Sequence, residues 1–266
     1  MFLQLLTRDP QYTAVKNLLG ALGSSWTALL VVSNALISYQ LSIPGEEYWT
    51  VFSRYFSKPS IEPLPTRFEK FLVETHCTRN LDQKIKRIRV FTSSKLAEKL
   101  VANPLQYCSR VKDLVDELSR TLGVDRDSKT IVFAAKMYGY YCIASGLTPD
   151  FTGISIPVDY RNALLALTSC IVSNCNNVDL HKCAKELTSS SYSRVVRNAW
   201  NNVCTITQIP CLLLDVFTWL FTGIAVENSF NPEKTVETLL TKHGVSIPLE
   251  TARILLECAG RYVQHH

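Results

Sequence analysis

A lysine that attacks carbon must be uncharged when it does so, and Lys129 stands where the chain favours that state. Ser128 reads as the N-cap of a helix opening at Lys129, and the partial positive charge of a helix N-terminus disfavours an ammonium there. Phe133 and Lys136 follow at i+4 and i+7, so one helical face carries an amine, an aromatic ring and a second amine. Two cations flanking a ring make a poor core stripe. They suit Schiff-base chemistry beside a flat ligand, although a lysine in a first turn is also an ordinary solvated charge. Asp159, after Pro157-Val158, begins another predicted helix and can cap it, serve as an acid or base, or do both. Asp215 lies in Cys-Leu-Leu-Leu-Asp-Val-Phe, where its burial is costly unless a hydrogen bond or a charge satisfies it. Trp219 follows one turn later, either as core aromatic or as a stacking surface.

These groups need a scaffold. Val111, Leu114, Val115 and Leu118, spaced by three and four, predict an amphipathic helix over 108–121 that ends near Gly123. Helix, short glycine-containing turn and helix form a helix-hairpin-helix unit over about 108–172. Its turn, with Gly123, Val124 and Arg126, offers backbone N–H groups, a guanidinium and a positive dipole end to a nucleic-acid phosphate, holding a backbone without reading sequence. Lys84, Lys86, Arg87 and Arg89 interleave with Ile85, Ile88 and Val90 on a helix predicted over 80–91; they read as a solvated basic face or a phosphate-facing one.

Periods near 3.6 dominate the rest, with no defensible strand alternation and no internal repeat, so the fold class is all-α. Asp9-Pro10 is a cap followed by proline at the first helical position, which puts Gln11 just inside a helix. Ser24–Leu41 reads as one helix broken by Pro44-Gly45, and 46–56 as the next, bearing Trp49, Phe52 and Phe56. Residues 57–65, with three prolines, are the candidate junction between two helical subdomains of a single domain spanning 1–266. Further helices are predicted over 160–172, 180–187, 194–203, 212–226, 233–243 and 249–263.

The 266 residues suffice for a sizeable core. With 28 basic and 23 acidic side chains, the net charge of +5 fits a phosphate-bearing partner without requiring one. The first ten residues lack the basic and apolar regions of a secretory signal, and 211–226 is too short and carries Asp215, so neither secretion nor a membrane span is expected. Nine cysteines without a Cys-x-x-Cys pair give no convincing metal-ligand spacing and are expected mostly as buried thiols.

Six stretches resemble the archaeal 8-oxoguanine DNA glycosylase family (AGOG), bifunctional base-excision enzymes with an atypical helix-hairpin-helix. They are Arg8-Asp-Pro-Gln-Tyr12, Asn34-Ala-Leu-Ile-Ser-Tyr39, Gly45-Glu-Glu-Tyr-Trp49, Lys129-Thr-Ile-Val-Phe133, Ile156-Pro-Val-Asp-Tyr-Arg161 and Leu214-Asp-Val-Phe-Thr-Trp219. They occur in the family's order across nearly the whole chain. The glycine-to-lysine spacing, longer than in the commoner superfamily pattern, agrees with the atypical branch.

The resemblance implies a helix-hairpin-helix glycosylase fold with two subdomains flanking a cleft, acting on DNA that contains 8-oxoguanine. Lys129 would be the Schiff-base nucleophile and Asp159 its electrostatic or proton-transfer partner. Phe133 and Trp219 would sandwich the extruded base, and Asp215, near Lys136, would accept from its edge. Gln11, Ser38, Trp49 and the Pro157 carbonyl would supply further hydrogen bonds. Gln11 is the discriminator, because an amide oxygen accepts from the N7–H that 8-oxoguanine has and guanine lacks. No metal or organic cofactor, no obligate protein partner and no membrane are implied, and a cytoplasmic monomer working at the nucleoid is expected. A hyperthermophilic relationship would admit intracellular disulfides, whose pairing spacing does not assign. Two other readings account for part of the pattern: a non-enzymatic helix-hairpin-helix module, and a Schiff-base enzyme for a small metabolite.

Overall fold

A computed structural model describes residues 5–7, 9–173, 175, 179–189 and 191–261. Arg8 of the first matching stretch and Val263 of the last predicted helix lie outside them. The described residues are helical, with no strand among them, and the chain divides into two compact units, Leu6–Ile154 and the part from Ser155 onward. The division therefore falls at Ile154/Ser155; the proline-rich 57–65 lies within the first unit, where it joins two packed helices.

The first unit contains α1 (Pro10–Leu22), α2 (Ser24–Ile37), α3 (Gly45–Phe56), α4 (Leu64–Glu74), α5 (Leu81–Thr92), α6 (Lys95–Ala102), α7 (Val111–Leu122) and α8 (Lys129–Ala144). Helix α2 is apolar all round, buried from Thr27 to Ile37, and packs along α8, which is itself buried over most of its length. Gly139 permits this core: a Cβ there would overlap the Phe151 ring. Helix α2 stops at Ile37, short of the predicted Leu41, because Ser38 turns out of helical geometry and its hydroxyl donates to the Asn34 carbonyl at 2.7 Å. Helices α3 and α4 meet through an aromatic cluster in which the Phe56 and Phe68 centroids are 4.6 Å apart. Arg67 spans that junction, its guanidinium 4.6 Å from the Phe56 ring while it donates to the Tyr55 carbonyl at 3.0 Å in the last turn of α3.

The second unit contains α9 (Tyr160–Thr168), α10 (Leu180–Leu187), α11 (Ser193–Thr207), α12 (Cys211–Glu227), α13 (Pro232–His243) and α14 (Leu249–Leu255). Helix α9, buried from Asn162 to Thr168, packs against α10 and α12. It ends four residues before the predicted Val172. Ser169 leaves helical geometry there, and Cys170 takes φ +61°. The final predicted helix likewise stops at Leu255, before a short 3-10 turn at Ala259–Arg261.

The expectation of mostly free thiols is overturned. Cys108–Cys142, Cys170–Cys258, Cys175–Cys183 and Cys204–Cys211 are disulfides, and Cys77 is a buried thiol. Spacing could not reveal this, since pairing depends on which Cα atoms the helices bring within about 4.4–6.8 Å.

Neither reading of the basic helix holds for Lys84, which is fully buried on α5 with its ammonium donating to the Cys77 carbonyl at 3.0 Å and lying 5.2 Å from the Tyr39 ring. Lys86 and Arg89 are exposed; Arg87, one turn on from Lys84, donates to the Leu36 carbonyl of α2, and both cations lie against the Tyr39 ring. Desolvation lowers the Lys84 pKa from its ordinary value. Between that lowered value and the unfolded one of about 10.4, the unfolded chain binds more protons, so this lysine makes stability rise with pH by up to about 1.4 kcal/mol per unit. Lys84→Met should lack that component. In urea unfolding from pH 7 to 10, the stability of the native chain relative to the variant should climb with pH, and a flat or falling difference would show that the lysine folds in as an unperturbed cation.

Candidate active site

Each candidate residue is positioned by a local sequence cause. In the first unit, Gly123 ends α7 in the left-handed conformation at φ +63° that a glycine adopts without strain. Its N–H and that of Val124 both donate back to the Ser119 carbonyl, and the Ser119 hydroxyl donates to the Val124 carbonyl at 2.6 Å. Those two amides therefore serve the turn itself, which withdraws them from the donors expected for a phosphate. Arg126 pairs with Asp116 at 3.2 Å and donates to the Gly153 carbonyl at 3.4 Å.

Ser128 has N-cap geometry, but its hydroxyl is buried without a partner and does not cap the helix. Lys129 is the first residue of α8 and is exposed. The neighbouring Thr130 hydroxyl accepts from Arg87 at 3.2 Å, and the same guanidinium nitrogen donates to the Leu36 carbonyl at 3.0 Å. This arginine fixes the lysine-bearing turn against the end of α2. Its role was hidden among four cations on one helix, and only the i+3 relation to the buried Lys84 could have singled it out.

One helical turn into α8, Phe133 meets Trp49 edge to face, with ring centroids 6.2 Å apart. Trp49 is buried, and its indole N–H has no partner. An orphaned donor of that kind costs about 1–3 kcal/mol unless something supplies an acceptor. Lys136 is buried on the same face as Phe133, its ammonium 5.8 Å from the Tyr140 ring. Gln11 is buried too, held in register because the Asp9 carboxylate accepts from the Gln11 backbone N–H at 2.8 Å and from the Tyr140 hydroxyl at 2.6 Å. Its side-chain amide lies against Gly45. Ser38 stands at the end of α2 beside Asn34, whose Oδ1 accepts from Tyr48 at 2.8 Å and whose NH2 group is buried without a partner. Burial raises the Tyr48 pKa well above its ordinary value and keeps it a donor.

In the second unit, Pro157, Asp159 and Asp215 converge on a residue the sequence reading missed. Asn162 is fully buried; its backbone N–H donates to Asp159 Oδ1 at 2.9 Å, and its side-chain NH2 donates to the Pro157 carbonyl at 2.8 Å and to Asp215 Oδ1 at 2.6 Å. Its Oδ1 accepts from Thr218 at 2.7 Å and its carbonyl from the Trp200 indole at 3.0 Å. Asp159 caps α9 as expected, and the buried Asp215 has found the polar partner that its apolar surroundings demanded. The missed signal was an asparagine inside an apolar helix three residues after a cap. Trp219, one turn beyond Asp215, is partly exposed, and the Arg161 guanidinium lies 3.7 Å from its ring centroid. Of the expected sandwich, Phe133 belongs to the first unit and Trp219 to the second. Among the described residues no group of three His, Cys, Asp or Glu side chains is placed to hold a metal, and no single helix is long and apolar enough to cross a membrane.

The chain as a whole is similar to known proteins. A family model described as AGOG, N-glycosylase/DNA lyase, matches residues 2–254. The chain belongs to the AGOG family. Its N-glycosylase/DNA lyase relatives include that of Pyrobaculum aerophilum, 33% identical over 253 residues and covering 91% of this chain and 89% of the relative. That of Methanopyrus kandleri is 31% identical over 218 residues, covering 81% of each chain. The crystal structure of Pa-AGOG, the 8-oxoguanine DNA glycosylase of P. aerophilum complexed with 8-oxoguanosine, is similar with a TM-score of 0.70 and 28% identity, covering 96% of this chain and 90% of that one. As an AGOG enzyme, this chain is an N-glycosylase and DNA lyase.

Asn162 allows a direct test of the buried polar cluster. Asn162→Asp sets a second carboxylate against Asp215, so one of the two must hold a proton. Holding it is easier in acid, so the variant's deficit relative to the native chain, about 2–4 kcal/mol at pH 7, should shrink by pH 5. Urea unfolding at both pH values measures this, and an equal deficit at each would mean that the two side chains do not meet.

Proposed function

We propose that this enzyme excises 8-oxoguanine from DNA through a lysine Schiff base and then nicks the strand by β-elimination. The observation that carries the reading is the pairing of Phe133 with the buried, partnerless Trp49 indole, one turn along the helix that Lys129 opens. A ring beside an unsatisfied donor is what an extruded base needs, with a face to stack on and a hydrogen bond to its edge.

In this mechanism the Lys129 amine attacks the deoxyribose C1′. The C1′–N9 bond breaks with its electron pair leaving on the base, which takes up a proton. The sugar ring opens to an iminium between Nζ and C1′. Loss of a C2′ proton then expels the 3′ phosphate as the C3′–O bond breaks. Asp159 stabilises positive charge developing at the sugar or moves a proton, and capping α9 holds its carboxylate in one orientation. Phe133 and Trp219 serve as stacking surfaces, and Gln11, Ser38, Trp49, Lys136, Pro157 and Asp215 read the base. The buried amide of Gln11 accepts from N7–H, the proton that separates the lesion from guanine. Of the hairpin residues Gly123, Val124 and Arg126, the first two shape the turn with amides already engaged, and the Arg126 guanidinium is the group left to meet the DNA backbone. No step needs a metal or a second subunit, and the working form is read as a cytoplasmic monomer on DNA.

Lys129→Gln should lose base release and nicking by more than a thousandfold, as expected when a nucleophile is removed, while lesion-DNA binding stays within about threefold. Borohydride should trap the native enzyme on lesion DNA and leave the variant untrapped; retained turnover or trapping would move the nucleophile elsewhere. Asp159→Asn should lower single-turnover base release by about a hundredfold or more with little change in affinity, in line with removing one electrostatic or proton-transfer group. Unchanged single-turnover rates would confine Asp159 to capping.

A further inference from the structure

Trp219 does not present two equivalent faces. The Arg161 guanidinium lies 3.7 Å from the ring centroid, and its Nη1 donates to the Trp219 carbonyl at 3.3 Å. Gly223, one turn further along α12, makes room for it: a Cβ there would lie 3.1 Å from Nη1 and 3.2 Å from Cζ. The guanidinium is thus seated against one face by a ring, a carbonyl and a missing side chain. Arginine keeps its charge at every pH the protein experiences.

We propose that Arg161 is a specificity-determining residue that makes the Trp219 stack select uncharged bases and reject bases bearing a fixed positive charge. The proposal rests on the reading that Trp219 stacks on the extruded base. An aromatic face attracts a cation through the ring quadrupole, which would make an unmodified tryptophan a good platform for a cationic alkylated base. Here one face already holds a cation, which draws π-electron density toward itself. A second cation on the opposite face would sit about 7 Å from the first, across a ring that excludes water, and Coulomb repulsion at that range weakens it by about ten- to fiftyfold. A neutral oxidised purine meets no such repulsion and keeps the full stacking area. Charge discrimination of this kind adds to edge reading, because it acts before any hydrogen bond is matched.

Competition between free nucleosides and lesion DNA tests the idea at pH 6, where 7-methylguanosine is a cation and 8-oxoguanosine is neutral. In the native enzyme 8-oxoguanosine should compete far better. Arg161→Met should shift the ratio of the two inhibition constants toward 7-methylguanosine by about tenfold or more, the repulsion removed with the charge. Arg161→Lys, which keeps the cation, should hold the native ratio. An unchanged ratio in Arg161→Met overturns the inference; should that variant not fold, Arg161→Gln makes the same comparison with a donor retained. Trp219→Ala separates the two layers of argument. If it leaves inhibition by 8-oxoguanosine intact, the stacking role of Trp219 fails. If it weakens inhibition while Arg161→Met leaves the ratio unchanged, only the charge filter fails.

Discussion

A buried hydrogen-bonding group must find a partner or destabilise the fold, and Asn162 is where the second unit meets that demand. It sits inside α9 among Ala163, Leu164 and Leu165, yet its N–H, its NH2 and both of its oxygens are engaged. Through those bonds the start of α9, the preceding Pro157 turn, and the Asp215 and Thr218 positions of α12 are held in one geometry. Three residues read as functional thus share one asparagine, Asp159 through its backbone N–H and Pro157 and Asp215 through its side-chain NH2. The cost of burying Asp215 in an apolar helix is offset by a partner from a different helix, which is why the two helices cannot slide independently.

The first unit resolves the same constraint differently. Its pair of apolar helices, α2 and α8, is close-packed, but the Asn34 NH2 of α2 and the Trp49 indole N–H of α3 remain unsatisfied. Orphaned donors of this kind are uncommon in folded proteins, and each carries a cost that the packing around it must offset. The two units therefore divide the work. One holds Asp159 and Asp215 through Asn162, and the other leaves the Trp49 indole N–H unpartnered beside Phe133.

Covalent closure supports both arrangements. Cys108–Cys142 ties the turn before α7 to α8, Cys204–Cys211 spans the connection into α12, and Cys170–Cys258 closes the longest loop, with a separation of 88 residues. On the chain-entropy model a loop of that length contributes about 4–5 kcal/mol by restricting the unfolded state. The elements so anchored are those that carry Lys136, Asp159, Asp215 and Trp219.

Much of this was legible in the chain itself. The 3.6-residue period determined the all-α class and most helix centres, Asp9-Pro10 and Asp159 announced their caps, and Gly123 marked the end of α7, because each signal depends only on neighbours within a turn or two. The resemblance of six short stretches pointed to the AGOG family, to which the chain belongs. Tertiary structure alone decided that eight of the nine cysteines are paired, that Lys84 is buried while Lys86 is exposed, that the units divide at Ile154/Ser155, and that Asn162 and Arg161 hold the groups around them. Each of these depends on which side chains meet across distances of tens of residues, and a local pattern carries no record of that.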